Sequence, residues 1–408
     1  MSITTPPKDY QVLFLDMNSY FASIEQQVQP NLRGRPIAVA PYTGNTGCVI
    51  AASYEAKALG IKCGTLVGEA KKIYPKIQIL EARPSLYMFY HQEIRKALEK
   101  LTPYYQALSV DEFTIRLTPR EQSCHGSIEL AKKVKSVITG VGDSLRCSIG
   151  IAPSTFLAKM AAESKKPDGL TLWEIKNLEK YYSEMKLTDI TGINFRLARR
   201  LQQKGIMTAL DFFNLNVVDQ IRILNHPGRL WYFRLRGYDV DDFMIKTKTI
   251  GHSHVLAPEF RTKTGAISVL HKLIFKTGAR LRKEGYWAGG IFVAIRFNDQ
   301  ESFHQGKKVP LLCDNKTFLA HAYDMLKNCR WSGRPSYVAV STFNLVKNIS
   351  DQPTLFAEVN RSRELSKALD SINDEYGVET IVPASLLFQK GVAPDRIPFG
   401  RPRYEIKY

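Results

Sequence analysis

The chain lacks any apolar run approaching the ~20 residues that a helix needs to cross a bilayer; its apolar stretches, residues 11–17 and 290–297 among them, are far shorter. No amino-terminal segment joins positive charge to an apolar run, so no export signal is read and a soluble, cytoplasmic protein is expected. Cysteine is scarce. Cys48, Cys63, Cys124, Cys147, Cys313 and Cys329 are scattered without close pairs, which excludes a zinc-ligand spacing and a disulfide framework and leaves reduced, mostly core thiols. Acidic residues are also in short supply, 39 against 57 basic ones, for a net charge of +18. A surplus of that size points to a polyanionic partner, nucleic acid first. Core material, by contrast, is plentiful: 44% of the 408 residues are hydrophobic, enough for several domains of about 150 residues each.

Periodicity sketches the organisation. Residues 11–17 read as a buried strand that hands over at 16–20 to a helix carrying Phe21, Ile24 and Val28 at helical spacing. Strands at 35–40 and 47–52, joined by a Pro/Gly/Asn turn, and helices at 54–59 and 67–73 predict a small α/β insert. A long amphipathic helix is expected over 86–101, strands at 105–108 and 112–117 around Ser109-Val110-Asp111-Glu112, a helix over 127–139, a strand over 146–151 and a helix over 154–164. From 177 to 238 only short helices are expected, punctuated by Gly192, Gly205 and Gly237. The polar stretch 239–250 reads as a linker. Beyond it, strands at 252–256, 290–297, 301–304 and 336–345 with helices at 264–284 and 315–329 predict an α+β domain, followed by one helix near 362–376 and a Pro/Arg-rich end.

Carboxylates carry the chemistry. Asp16 closes a buried strand, while Asp111 and Glu112 sit in a second apolar strand context, where a charge is costly unless a cation compensates it. If the two strands are neighbours, three carboxylates converge, and their repulsion is best relieved by divalent metal with oxygen ligands, typically magnesium. Two such ions clamp the attacking and leaving oxygens of an in-line phosphoryl transfer. For an isolated Asp-Glu pair, turn or salt-bridge roles are commoner than catalytic ones.

The wider text decides between them. Phe14–Glu25 (FLDMNSYFASIE), Ser109–Glu112 (SVDE) and Cys147–Gly169 (CSIGIAPSTFLAKMAAESKKPDG) resemble the Y-family translesion DNA polymerases, and within them the UmuC type. The likeness runs over nearly the whole chain, most densely from Gln11 to Gly169. It implies an α+β, right-hand-like polymerase: a palm (1–27 and 86–171), small fingers (28–85), a helical thumb (172–243), a linker (244–250), an α/β little finger (251–346) and a tail (347–408). It further implies that Asp16 and Asp111 bridge two Mg2+ ions, that Glu112 completes the ion nearer the primer 3′-hydroxyl, and that Met17 lends its backbone carbonyl. Phe21, by residue type an ordinary core aromatic, falls at the steric gate that excludes a 2′-hydroxyl. Tyr20, Tyr54, Lys57 and Lys159 fall at nucleotide-binding positions; Tyr54 and Lys57, three apart on a helix, can grip one ligand. Three positions depart from the family's usual text: Lys57 stands where arginine is frequent, losing a bidentate fork, Asn18 where aspartate is, and Ser154-Thr155 where Asn-Lys is usual.

Further along, Thr191-Gly192-Ile193-Asn194 reads as the turn of a helix-hairpin-helix, whose N–H groups suit a phosphate. Asn194 replaces the second glycine there, and asparagine enters the left-handed region more readily than most residues. Lys246, Lys248, Arg261, Lys263, Lys272, Lys276, Arg280, Arg282 and Lys283 accompany the second α+β domain, where the resemblance expects sequence-independent phosphate contacts. Gln352-Pro353-Thr354-Leu355-Phe356 looks like the pentapeptide that binds the bacterial sliding clamp, with Leu355 and Phe356 as anchors and Gln352 as the polar lock. The expected partners are therefore primed DNA, a deoxynucleoside triphosphate and the sliding clamp, with a UmuD-type accessory protein as a further candidate. The rival readings are a non-catalytic DNA- and clamp-binding scaffold on the same fold, and a nucleotidyl cyclase, in which a hairpin-like DNA grip has no use.

Overall fold

The computed structural model describes residues 8–241, 247–298, 301–347, 357–389 and 392–393. These fall into two compact units that divide between Phe243 and Met244. Among the described residues no helix is long and apolar enough to cross a membrane.

The first unit is organised by β1 (Val12–Met17), buried along its whole length. Such a strand must lie mid-sheet with both faces covered, and β1 is central in the order β5-β6-β1-β7-β8, where β5 is Tyr105–Ala107, β6 Glu112–Arg116, β7 Cys147–Ala152 and β8 Leu170–Leu172. It runs antiparallel to both neighbours. Alternation then sorts its side chains. Leu13, Leu15 and Met17 join Phe113, Ile115, Ile149 and Ile151 against one pair of helices, α4 (Pro84–Leu101) and α5 (Cys124–Val141). Val12 and Phe14 face the other way, onto α6 (Thr155–Ser164), and Asp16 shares their parity. Helix α1 (Tyr20–Val28) follows β1 directly through Ser19, which takes a left-handed conformation (φ 49°).

Between α1 and α4 lies the insert: β2 (Ile37–Ala40), β3 (Ala51–Ala52), α2 (Tyr54–Ala58), α3 (Val67–Ile73) and β4 (Gln78–Glu81). The expected strand over 47–52 shrinks to β3, with Cys48 bridged to Leu66 instead. Strand β4, unread in the sequence, pairs parallel with β2. The insert's own core is small, with Ala38, Val49, Ala52, Ala56, Ile61, Ala70 and Ile77 at its heart. Short helices α7 (Leu178–Ser183), α8 (Phe195–Gln202), α9 (Ala209–Asn214), α10 (Val217–Leu224) and α11 (His226–Leu235) complete the unit around Trp173, Tyr182, Phe212 and Trp231.

The linker expected over 239–250 is shorter than its polarity suggests. Asp239 pairs with Arg116 and Asp241 with Arg234, so its acidic start belongs to the first unit. At the other end, β9 (Thr249–Val255) already pairs with the sheet of the second unit. That sheet is antiparallel, in the order β11-β10-β12-β9, with β10 Tyr286–Phe297, β11 Ser302–Leu312 and β12 Pro335–Lys347. Helices α12 (Lys263–Lys283) and α13 (Asn315–Leu326) cover the face of Ile291, Val293 and Ile295. Strand β11 is much longer than the 301–304 expected. It is an edge strand, where the missing N–H of Pro310 costs no ladder bond. Helix α14 (Ala357–Tyr376) docks by polar contacts: Arg282 holds Asp370 through Nε–Oδ2 (2.5 Å) and Nη2–Oδ1 (2.9 Å), and the Arg363 guanidinium lies 4.4 Å from the Trp287 ring centroid.

Candidate active site

Strand register does what chain distance hides. Asp16 lies directly across from Glu112 in the β1–β6 ladder, and the Met17 N–H donates to the Asp111 carbonyl at 2.9 Å. The three carboxyl-bearing residues therefore share one end of the central strands. The buried His91 ring holds the approach to Asp111, its Nδ1 lying 2.8 Å from the Val110 carbonyl. A carbonyl only accepts, so this nitrogen carries the proton.

Each carboxylate is met by a different neighbour. Lys166 Nζ lies 2.8 Å from Asp16 Oδ2, Lys159 Nζ lies 2.5 Å from Glu112 Oε1, and the Ser109 hydroxyl donates to Asp111 Oδ1 at 2.6 Å. The consequences differ with the partner's charge. Burial raises the Asp16 carboxyl even against the pull of Lys166. Asp111, bonded to a neutral hydroxyl, is pushed up to about 6, first by burial and then by the negative charges of Asp16 and Glu112. Burial works against the Lys159 ammonium, but Glu112 overcomes it and leaves Lys159 raised.

The insert supplies the facing wall. The Tyr54 phenol is pushed up to about 12, by burial and then by the charge of Asp16, and Lys57 Nζ sits 4.4 Å from the Tyr54 ring centroid. Lys57 is lowered by burial and then by the positive charge of Lys166, with Asp16 pulling the other way. Lys57, Lys159 and Lys166 thus share one electrostatic neighbourhood with the carboxylates. Ser53 starts α2 by accepting the Ala56 N–H at 3.3 Å, which fixes the turn that presents Tyr54 and Lys57.

Among the described residues no three carboxyl, thiol or imidazole groups are gathered about a single point; Asp16, Glu112 and Asp111 are each engaged by a separate partner. The donor set nonetheless fits a hard cation. It is all oxygen and partly buried, and Asp111, raised to about 6, is the member held by a neutral group.

Two residues escaped the reading from sequence. Lys166 was not singled out within Lys165-Lys166-Pro167-Asp168-Gly169, yet it is the cation on Asp16. Asn18, noted only as a departure, is the hub that places it: its Oδ1 accepts the Asp168 N–H at 2.7 Å, its Nδ2 donates to Ser148 Oγ at 3.0 Å and its carbonyl accepts from Ser23 Oγ at 2.7 Å. Tyr20 goes the other way. Its hydroxyl donates to the Tyr87 carbonyl at 2.8 Å in the core, so its side chain ties α1 to α4.

Two family models, the impB/mucB/samB family over residues 15–163 and its C-terminal domain over 247–355, match the chain. The chain belongs to the impB/mucB/samB family of Y-family, DNA-directed DNA polymerases. It is 33% identical to a DNA polymerase IV of Moorella thermoacetica over 94% of this chain and 98% of that protein, and 27% identical to DNA polymerase IV 1 of Bacillus subtilis over 92% and 93%. Among solved structures it is similar to a Y-family DNA polymerase chimera, with a TM-score of 0.72 and 26% identity over 83% of this chain and 99% of that one. It is also similar to an insertion ternary complex of Dbh DNA polymerase, with a TM-score of 0.57 and 25% identity over the same shares. Polymerases of this family use divalent metal ions.

The polymerase departs from the sequence reading at the residues expected to contact DNA. Gly192 is left-handed (φ 91°), but Asn194 is not: it is extended (φ −80°, ψ 170°), and its side chain caps α8 by accepting the Leu197 N–H at 2.9 Å. The hairpin is closed by capping, because an asparagine oxygen satisfies an orphan helix donor that a second glycine could not. In the second unit, several of the basic residues are already paired, and two of them, Lys272 and Arg282, are largely buried. Lys272 is buried against Glu379, Arg280 pairs with Glu284, Arg282 with Asp370 and Lys283 with Asp374. Helix α12 lies over the core face of its sheet; Arg282 and Lys283 pair with α14, Lys272 with the turn that follows it, and Arg280 with the end of its own helix. The opposite face, by the pleat of β10 and β11, carries Arg296, His304 and Lys308. Gln352, Leu355 and Phe356 lie outside the described residues, as does Lys246.

Proposed function

We propose that this chain is a low-fidelity translesion polymerase that adds deoxynucleotides to a primer 3′ end by two-metal nucleotidyl transfer during damage tolerance. The observation that carries this is the Asp16–Glu112 register pair with Asp111 beside it, faced by Tyr54, Lys57 and Lys166. Two Mg2+ ions held by Asp16, Asp111, Glu112 and the Met17 carbonyl would acidify the primer hydroxyl and neutralise the departing pyrophosphate.

The chain's own groups do the rest. Lys57, Lys166 and the Tyr54 phenol bind the triphosphate, with Lys159 adding charge from α6; Lys166 and Lys159 would be freed for that role from Asp16 and Glu112 by metal on the carboxylates. Phe21 is the steric gate. Residues 28–85 act as fingers, and with a core of small side chains and helices of five and seven residues they cannot close over a base pair as a large subdomain would, which loosens selection and admits damaged templates. The thumb hairpin at Gly192–Asn194 and the Arg296, His304 and Lys308 face of the little finger hold primed DNA through its phosphates. Gln352, Leu355 and Phe356 recruit the sliding clamp, and a UmuD-type accessory protein is the further partner of this reading.

Extension of a primed template bearing an abasic site, with and without clamp, tests chemistry, tolerance and recruitment together. Nucleotides are expected to be added opposite and beyond the lesion, with turnover strictly dependent on primed DNA. Retention of primed-DNA binding without any extension would favour the scaffold reading, and DNA-independent turnover the cyclase. Lys166→Ala is expected to raise KM for the incoming nucleotide about tenfold while DNA binding stays as in the wild type. Steady-state insertion kinetics check this; an unchanged KM would remove Lys166 from the triphosphate site.

A further inference from the structure

Phe21 does not merely pack in the core. Its ring is stacked on Tyr87 of α4, centroids 4.4 Å apart and planes 15° from parallel. The Tyr87 phenol, wholly buried, donates to Glu25 Oε1 at 2.8 Å. Glu25 sits one helical turn after Phe21 on the same face of α1 and is itself only 1% exposed. Its carboxylate takes both arms of the Arg83 guanidinium, Nε to Oε1 at 3.1 Å and Nη2 to Oε2. The loop α1–Glu25–Tyr87–Phe21–α1 is therefore closed by one hydrogen bond and one ring stack, with the Arg83 fork bracing Glu25 from outside it, and Tyr20 pins the same stretch of α4 through the Tyr87 carbonyl at 2.8 Å.

A packed aromatic pair needs none of this. Phenylalanine at position 87 would fill the same space, whereas a buried carboxylate costs several kcal/mol of desolvation unless its partners are ideal. The spare chemistry fixes one thing, the height and tilt of the Phe21 ring relative to its own helix. Steric exclusion of a single hydroxyl depends on that position to a fraction of an ångström, because contact energy turns repulsive steeply. We infer that Glu25 and Arg83, acting through Tyr87, are positioning residues that hold the ring at Phe21 and so set the discrimination between deoxyribo- and ribonucleotides. This rests on the steric-gate reading of Phe21.

The test compares single-nucleotide insertion of dNTP and rNTP by wild type, Phe21→Ala, Glu25→Gln, Tyr87→Phe and the Phe21→Ala/Glu25→Gln double variant, each with its melting temperature. Glu25→Gln keeps an acceptor for Tyr87 but loses the charge on the Arg83 fork; Tyr87→Phe keeps the stack and loses the tether, and serves should the glutamine variant fail to fold. Glu25→Gln and Tyr87→Phe are each expected to lower the dNTP/rNTP ratio of kcat/KM about tenfold, chiefly by improving rNTP insertion. Adding Glu25→Gln to Phe21→Ala is expected to lower it no further. If Phe21→Ala leaves sugar discrimination at the wild-type ratio, the gate reading itself falls. If Phe21→Ala opens the site but both tether variants fold and discriminate as wild type, or if the double variant is additive, the positioning role is overturned and the gate stands.

Discussion

Asp111→Asn is expected to abolish primer extension and, at the same time, to raise the melting temperature of the metal-free protein. The carboxamide keeps the oxygen that accepts from Ser109 and removes a charge the fold disfavours. The folded carboxyl titrates at about 6 against an ordinary value of 3.8, so its ionised form costs roughly 1–3 kcal/mol. The sign follows from which state binds the proton. Between the two values the folded chain holds a proton that the unfolded chain has lost, so stability falls as pH rises through that window. The penalty is full above about pH 6 and gone near pH 4. The variant should therefore melt ~2–8 °C above wild type at pH 8 in chelator, with the gap closing toward pH 4. Magnesium should stabilise wild type and leave the variant nearly unmoved, while extension falls by about 10³-fold or more, ~4 kcal/mol of barrier. A variant that melts below wild type at pH 8 would contradict the electrostatic account; one that still extends would remove Asp111 from the chemistry. Stability given up at a functional site is a common trade.

Gly150→Ala is the second large effect. Gly150 lies mid-strand in β7, and a Cβ there would stand 2.0 Å from the Ala158 carbonyl oxygen and 2.3 Å from the Ala162 nitrogen. Both are backbone atoms of α6, so no rotamer can yield, and the helix must retreat by about 1 Å from a sheet it packs against closely. Helix α6 carries Lys159 and leads into Lys166, the two cations on Glu112 and Asp16. One methyl group should therefore cost about 3 kcal/mol or more and lower the melting temperature by roughly 10 °C. The folded fraction should insert nucleotides about 100-fold more slowly, as a 1 Å misplacement does. Melting and insertion kinetics on one preparation decide it; a variant that melts with wild type refutes the close packing of α6 on β7.

Much of this was legible along the chain because it is local. The run Val12–Met17 could only be a covered strand, the 3.6-residue spacing of α4, α5 and α12 gave helices, and the paired Asp111-Glu112 after an apolar stretch marked chemistry. Short elements were missed where tertiary pairing creates them. β4 and β8, of four and three residues, lack any period of their own and exist because β2 and β7 offer an edge. Glu25 could have been noticed, since with Phe21, Ile24 and Val28 it completes the i, i+3, i+4, i+7 stripe of α1, and an acid on that stripe demands a buried partner. The Asn194 conformation was misread because side-chain capping competes with backbone freedom, and only the position of the helix start settles which operates.

Residue types and their local spacing alone determined the inventory: which segments are strands and helices, which acids are costly to bury, which family's text the chain carries. Only the folded chain decided who meets whom. Register set Asp16 against Glu112, the approach of α6 set lysines on both, and the packing of α12 beside α14 engaged Arg282 with Asp370 and Lys272 with Glu379. Such choices depend on pairings between residues far apart in sequence, whose energies exist only once the intervening chain has closed.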